Sequence, residues 1–435
     1  MNRRVAIIGG GWAGLAAAEA LAEHAQVMLF EAGKQLGGRA RAMARQNQFS
    51  FLDNGQHILM GAYHQCLALL QRAGISVDEV FFRQPLTWHM ADGIQFQAAC
   101  LPKPWHLAMG VLCARRVGFA ERLQLLQQMH RLQTWYAGYR QNKQDISAAQ
   151  WLANNGVGHL ETVQFWQPLI WGGLNTDLAA ASTARLANML NDGVWQRRQD
   201  SDMLIAKTDL GKAWVMPICE LLQRKQVGIQ THYRVPPPMR NESGQWQVGG
   251  ETFDAVIVAT APYHAAALLP PQIASETKQA LDALRYHAIT TVYLRYSQAV
   301  RLPAALTGLV NGTAQWLQAR SAVGGDVHEV AAVVSVSDLI GINTTNEWVR
   351  RVHADVLSLC PNLPMPEEAQ VITEKRATVQ SRFDALPIPT AGLRKQKLYL
   401  AGDYLHPRYP STLEAAVQSG QAAAAQCLAD FQQCC

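Results

Sequence analysis

Long apolar runs, paired cysteines and clustered charge are all missing from this 435-residue chain. No segment reaches the roughly 18 consecutive apolar residues that span a bilayer, which excludes an integral helical membrane protein. None of the eight cysteines forms a Cys-x-x-Cys pair, and none stands at metal-ligand spacing from a histidine. A thiol-exchange motif and a zinc site are thereby excluded, and the pattern fits reduced thiols in a cytosolic protein. The terminal Cys434-Cys435 reads either as a frayed end or as a reactive or lipidated tail. Charged residues make up 16% of the chain, and the net charge of +5 includes no basic run and no Lys/Arg stripe interleaved with aromatics. Nucleic-acid binding is therefore not expected, although so mild an excess permits weak attraction to an anionic membrane surface. Internal repeats are absent, and the alanines at 422–425 are the nearest thing to a low-complexity tract.

What is present is apolar bulk. At 49% apolar, a chain of this length buries a large core and is expected to form two domains or slightly more. The first thirty residues follow a strand–helix–strand order. Val5–Ile8 is continuously apolar, as in a strand buried on both faces. Ala13 to Glu23 carries strong helix formers, and Gln26–Phe30 is a second strand that ends at Glu31. The Arg3-Arg4 pair and the alanines up to Ala22 imitate a secretory signal, but Gly9, Gly10, Gly11 and Gly14 interrupt it.

Those glycines carry chemistry. In Gly9-x-Gly11-x-x-Gly14 the first permits a tight strand-to-helix turn and the second lets a pyrophosphate approach the backbone. The third brings helix against sheet. The free N–H groups and positive end of the helix then face the phosphates. Glu31, at the end of the second strand, is placed to accept the ribose hydroxyls. NAD and FAD both use such a turn, and the following Gly37-Gly38-Arg39 distinguishes them. Two glycines turn the chain beside the cofactor, and Arg39 offers a fixed cation to the diphosphate. This element resembles the signature of the FAD-containing amine oxidase and carotenoid desaturase superfamily.

The resemblance continues downstream. Arg234-Val235 resembles the short strand that meets the adenine, and Asp254–Pro262 a second cofactor-contacting strand. Tyr399-Leu-Ala-Gly402-Asp403 resembles a third, whose Asp faces the ribityl-phosphate end of FAD. Pro410-Ser411-Thr412-Leu413-Glu414 then opens a helix that Ser411 or Thr412 caps, with its dipole directed at the flavin. Together the resemblance implies FAD, held by Gly9, Gly11, Gly14, Glu31, Gly38, Arg39, Val235, Gly402, Asp403, Thr412 and Leu413. It implies an α/β fold in which a discontinuous Rossmann-like FAD-binding domain carries an inserted α+β substrate-binding domain. The expected bounds are 1–60, 205–262 and 385–435 for the first, and 61–204 and 263–384 for the second. No second glycine fingerprint for NAD(P)H is present, so the electron donor stays unidentified.

Leu169-Ile-Trp171-Gly-Gly-Leu-Asn175-Thr176, Asp200-Ser201-Asp202 and Tyr409–Glu414 narrow the resemblance to the squalene-associated FAD-dependent desaturases, also described as hydroxysqualene dehydroxylases of hopanoid biosynthesis. It covers most of the chain and is vaguest over 265–380. Ala415 replaces the usual glycine, and Gly172-Gly173 stands where alanine or cysteine is expected. That family implies reductive removal of the hydroxyl of an allylic C30 alcohol, giving squalene. It also implies a long apolar tunnel for an isoprenoid substrate. The Asp53-Asn-Gly55-Gln-His57 element resembles a near-flavin motif, and equally an ordinary Asn-Gly turn. Asp53, His57 and Tyr409 are the candidates for the general acid, and no metal is called for.

Trp151, Trp166, Trp171, Trp195 and Trp214 line a tunnel or fill a core. Pro104–Arg116 is either an interfacial segment of a monotopic protein or a buried helix. The cytoplasm is the expected location, with the inner face of the cytoplasmic membrane open to such a protein. A desaturase of a carotenoid or other isoprenoid precursor, and a flavin amine oxidase, are the competing activities.

Overall fold

A computed structural model describes residues 3–43 and 48–433; the Cys434-Cys435 tail lies outside them. Among these residues five short strands form a parallel sheet in the order Leu398–Leu400, Ala255–Val258, Arg4–Ile8, Gln26–Phe30, Gly228–Gln230. The central strand pairs Val5 with Ala255 on one side and Val27 on the other. Segments some 250 and 390 residues apart thus meet because each is apolar on both faces, as a covered parallel strand must be. Helix Trp12–Leu21 covers one face, and helix Leu413–Gln432 packs on it so closely that a Cβ on Gly420 would meet the Ala13 carbonyl oxygen at 2.1 Å.

The expected strand at Arg234-Val235 is instead irregular chain. Pro236, Pro237 and Pro238 follow it and bring no N–H to a ladder. The segment is still fixed, because Tyr233 N–H donates to the Glu31 carbonyl and His232 N–H to that of Gly33. Asn241–Gly250 belongs to an antiparallel meander of Met239–Arg240, Trp246–Val248 and Glu251–Phe253.

The second body combines a helical wall with an antiparallel sheet. Helices Phe119–Asn142, Gln167–Leu174 and Thr183–Gly193 bury Trp151, Trp166, Ile170 and Leu186 in one cluster. The sheet runs Leu306–Gly308, Trp316–Ala319, Glu329–Ser335, Tyr286–Arg295, Glu368–Val379. Asn175, at the left-handed end of helix Gln167–Leu174, joins wall to sheet. Its carboxamide donates to Thr378 Oγ1 at 2.9 Å and accepts from Val336 N–H at 2.8 Å. Asp200 and Asp202, prominent in the sequence, are structural. Asp200 ties Arg197 into a capping box and Asp202 pairs with Arg83 at 2.9 Å, which fixes the start of strand Met203–Ala206.

Candidate active site

The parallel sheet, the helical wall and the antiparallel sheet enclose one cavity of about 1050 Å³. That exceeds the ~300–1,000 Å³ of an ordinary small-molecule site and leaves room for a cofactor and a second ligand. Gly9, Gly11, Glu31, Gly38, Arg39, Val235, Gly402, Asp403, Thr412 and Leu413 all line it. Gly14 does not. A Cβ there would stand 1.9 Å from the Gly9 carbonyl oxygen, so Gly14 serves helix–strand contact. Gly11 is its opposite, since a Cβ on it would find only the Gly38 Cα, at 3.9 Å. The space over Gly11 is the cradle that a pyrophosphate needs.

Gly37 and Gly38 have φ of +103° and +60°, so this turn does require glycine. It delivers Arg39 to Asp403, whose Oδ1 accepts from the guanidinium at 2.7 Å, while Nη1 donates to the Ala377 carbonyl. The cation and the acid expected at the phosphate are thus one ion pair. Glu31 is held at both oxygens by the N–H groups of Gly10 (2.7 Å) and Gly33 (2.6 Å). Thr412 caps helix Leu413–Gln432 through Ala415 N–H, and the fully buried Ala415 fits its small site. Two polar atoms missed in the sequence point the same way. Trp12 Nε1 and Thr260 Oγ1 are buried without a partner, and both residues line the cavity. Orphaned polar groups beside an open cradle suit the ribityl and phosphate oxygens of FAD.

The three candidate acids separate. His57 and Tyr409 line the cavity, whereas Asp53 lies behind its wall, with Oδ1 accepting from Leu210 N–H at 2.8 Å. A direct meeting of Asp53 with a ligand, expected from the sequence, is replaced by a role in holding its loop. Burial pushes the Asp53 carboxyl up from 3.8 to about 7, the Leu210 N–H and the Arg320 cation offsetting part of it. His57 Nδ1 stands 3.0 Å from the Gly55 carbonyl, so this nitrogen carries the hydrogen. Burial pushes the imidazole down from 6.5 to about 4, against the Gly55 hydrogen bond, and the Arg39 charge adds to the fall. The Tyr409 hydroxyl donates to Asp192 Oδ2 at 2.7 Å, and burial raises it to about 12. Asp192, also on the wall, had no motif to announce it.

Asp53 and His57 give opposite pH dependences in one loop. Between about pH 4 and 7 the folded chain keeps a proton on Asp53 that the unfolded chain releases. Stability from this group therefore falls as pH rises. His57 refuses a proton that the unfolded chain binds between about pH 4 and 6.5, so its contribution rises with pH. Asp53→Asn should remove the first slope and leave the second, a divergence from the parent of at most about 4 kcal/mol across the window. Thermal midpoints of both proteins from pH 4 to 7 check this, and parallel profiles would refute it.

The substrate side of the cavity is apolar. Trp88, Leu169, Leu174, Met189, Leu306 and Val333 contribute to it. Gly172 and Gly173, the unexpected pair, lie there too. A Cβ on Gly172 would approach only Trp316 Nε1, at 3.6 Å. Of the five tryptophans left open by the sequence, Trp151, Trp166 and Trp214 are core residues and Trp171 and Trp195 are half-buried off the cavity, while Trp88 and Trp316, outside that set, line its apolar side.

Comparison with known proteins gives the same cofactor class. The model of the family described as flavin-containing amine oxidoreductase matches residues 12–204 and 239–428. The hydroxysqualene dehydroxylase of Zymomonas mobilis subsp. mobilis is 25% identical over 447 residues, covering 96% of this chain and 97% of the relative. That of Rhodopseudomonas palustris is 26% identical over 459 residues, covering 98% of each. In structure, the chain is similar to the cyclohexylamine oxidase from Brevibacterium oxydans, with a TM-score of 0.72, 16% identity and coverage of 99% and 100%. A putrescine oxidase variant gives 0.74 at 14% identity, with 99% of each chain covered.

Proposed function

The chain belongs to the flavin-containing amine oxidoreductase family, and on that premise we propose that it reductively dehydroxylates an allylic polyisoprenoid alcohol of the hydroxysqualene type to squalene. Its cofactor is FAD. The observation that carries the reading is the single cavity running from the cofactor cradle into an apolar lumen. The names of its relatives supply the substrate class. Residues 1–60, 205–262 and 385–435 form the FAD-binding domain in this reading, and 61–204 and 263–384 the substrate-binding one. When bound, reduced FAD supplies the hydride that takes the place of the hydroxyl.

The chain's own residues do the rest. The Leu, Met and Trp walls desolvate the substrate and exclude water from the reacting carbon. Departure of the hydroxyl needs a proton. Of the three candidates, Tyr409 both lines the cavity and keeps its O–H at neutral pH, and to act it must turn that hydrogen from Asp192 Oδ2 to the leaving hydroxyl. His57 is neutral there and directs its Nδ1 hydrogen at the Gly55 carbonyl. Asp53 holds the loop from behind. The test is anaerobic incubation of the photoreduced holoenzyme with hydroxysqualene in detergent, followed by gas chromatography. Squalene is the expected product. None from fully reduced protein would sink the proposal, and bleaching of the oxidised protein by a more saturated isoprenoid would favour a desaturase.

No helix among the described residues is long and apolar enough to cross a membrane. Peripheral docking is a different matter. Helix Trp105–Leu112 buries His106, Leu107, Gly110 and Val111 and turns Trp105 outward at 60% exposure. Leu101, Met109 and, on the next helix, Phe119 and Leu123 are also exposed, with Lys103, Arg115 and Arg116 beside them. The helix rides on the outer side of the lumen wall, where His106 Nε2 lies 3.0 Å from the carbonyl of the wall residue Val194. These features support docking on an anionic bilayer, from which so insoluble a substrate would arrive. Flotation with phosphatidylglycerol vesicles should recover the parent protein. The double variant Trp105→Ser, Phe119→Ser should bind at least about tenfold more weakly, and equal recovery would count against the interface.

A further inference from the structure

The sheet that floors the lumen brings Gln318, Ser335, Glu374 and Thr378 to the cavity wall, and Gln318 is the one set among Leu306, Trp316 and Val333. Strand Trp316–Ala319 pairs Leu306 with Gln318 and Gln318 with Ala331, and Ala331 pairs in turn with Tyr293. Residues directly opposite on antiparallel strands share a face, so Leu306, Gln318, Ala331 and Tyr293 form one row. The next row on the same face runs Gly308, Trp316, Val333, Thr291. At one end of the Gln318 row the Tyr293 hydroxyl accepts from Gln56 Nε2 at 2.8 Å and donates to the Asp53 carbonyl at 3.0 Å. The neighbouring row reaches the same loop at Gly55, whose added Cβ would meet Thr291 Oγ1 at 3.9 Å. Gln318 therefore stands level with the Gly55–His57 segment, about 10 Å across two strand spacings from Tyr293.

Gln318 is 1% exposed to solvent and lines the cavity beside Leu306, Trp316 and Val333. Its Oε1 accepts from Arg320 Nη1 at 3.3 Å. A guanidinium only donates, so the carboxamide is held with its oxygen toward Arg320 and its NH2 free. Among the described residues that NH2, which faces the cavity, has no hydrogen-bond partner. Arg320 is itself anchored, donating to the Phe51 carbonyl at 2.8 Å and lying with its guanidinium 3.7 Å from the centre of the Phe51 ring. A rigidly oriented donor without a partner is costly in an apolar wall, unless a ligand supplies the acceptor.

We propose that the Gln318 carboxamide donates a hydrogen bond to the hydroxyl oxygen of the bound polyisoprenoid alcohol, with Arg320 as the positioning residue behind it. The inference rests on the substrate class proposed above and names the residue that tells substrate from product. The alcohol offers Gln318 an acceptor and the hydrocarbon offers none. Removal of the oxygen therefore also removes the contact that holds the chain in place, and the product is released more readily than the substrate.

The test uses holoenzyme with oxidised FAD, which cannot turn the alcohol over. Hydroxysqualene and squalene are titrated in detergent and binding is followed by the perturbation of the flavin absorption. The parent should bind the alcohol about tenfold or more tightly than the hydrocarbon. In Gln318→Leu and Gln318→Met the preference should collapse to within about twofold of unity, with the affinity for squalene unchanged. Either variant suffices, provided its thermal midpoint and flavin content match the parent. Preference retained in both overturns the role of Gln318 while leaving the proposed function standing. A parent protein that binds the two lipids equally overturns this inference alone, and one that binds neither overturns the proposed function with it.

Discussion

Gly11→Val should give a folded, colourless protein. An added side chain at Gly11 has room, with only the Gly38 Cα near its first carbon, at 3.9 Å. The room it takes is the cofactor's. Valine there would stand between the helix N-terminus and the pyrophosphate and remove the close backbone approach on which anion binding depends. FAD affinity should fall by at least about 100-fold, equivalent to roughly 3 kcal/mol. Gly14→Val supplies the contrast, because its Cβ would meet the Gly9 carbonyl oxygen at 1.9 Å and prise helix from strand. That variant should fail to accumulate as folded protein at all. Flavin content and circular dichroism of the two purified variants check both halves. A yellow Gly11→Val protein would mean that the dinucleotide does not cross the turn.

Glu329→Leu should cost about 3–5 kcal/mol of stability, the penalty for stranding a buried charge. The Glu329 side chain is 1% exposed and accepts from the Ser50 N–H at 2.7 Å, the Ser50 hydroxyl and Arg295. Arg320, equally buried, lies 3.9 Å away. Leucine would leave Arg320 only the buried Asp53 carboxyl, itself pushed up to about 7, and would loosen the chain at Ser50, three residues before Asp53. Adding Arg320→Met should restore at least half of the loss, since an apolar pair avoids the desolvation of both charges. Thermal midpoints of the parent, single and double variants report the coupling. If Glu329→Leu melts with the parent, the cluster does not brace this loop.

How far the sequence could be followed depended on how local each cause was. The turn at Gly9–Gly14, the partners at 254–262 and 399–403 and the cap at Thr412 are set by neighbours within a few residues, so their chemistry was visible in order. The family resemblance predicts a strand at Arg234-Val235, and three prolines make it irregular chain instead. Gln318, Arg320 and Glu329 were silent for a different reason. They lie in the stretch where the family resemblance is vaguest, and their meaning comes from register across an antiparallel sheet. No local pattern announces which residues will stand in one row. Asp53 was legible as a residue of interest, but which side of the wall its carboxyl takes is decided by Leu210, 157 positions away. In the sequence Glu414 reads only as part of a helix start. Its carboxylate also receives the N–H groups of Gln65 and Cys66, and so fastens a second helix to the first.

The order of the parallel sheet has a consequence for how the protein is made. Its central strand is Arg4–Ile8, the first to leave the ribosome, yet one flank of that strand waits for Ala255–Val258 and the sheet's edge waits for Leu398–Leu400. At the usual ~5–20 residues per second, some 250 residues of synthesis separate the strand from its neighbour by roughly 10–50 s. During that interval a strand apolar from Val5 to Ile8 offers an unpaired edge, the kind of surface that invites pairing with another chain. A nascent protein built in this order has good reason to be met by a chaperone until its middle arrives, and poor expression of early truncations should owe more to that open flank than to the loss of any residue that touches the cofactor.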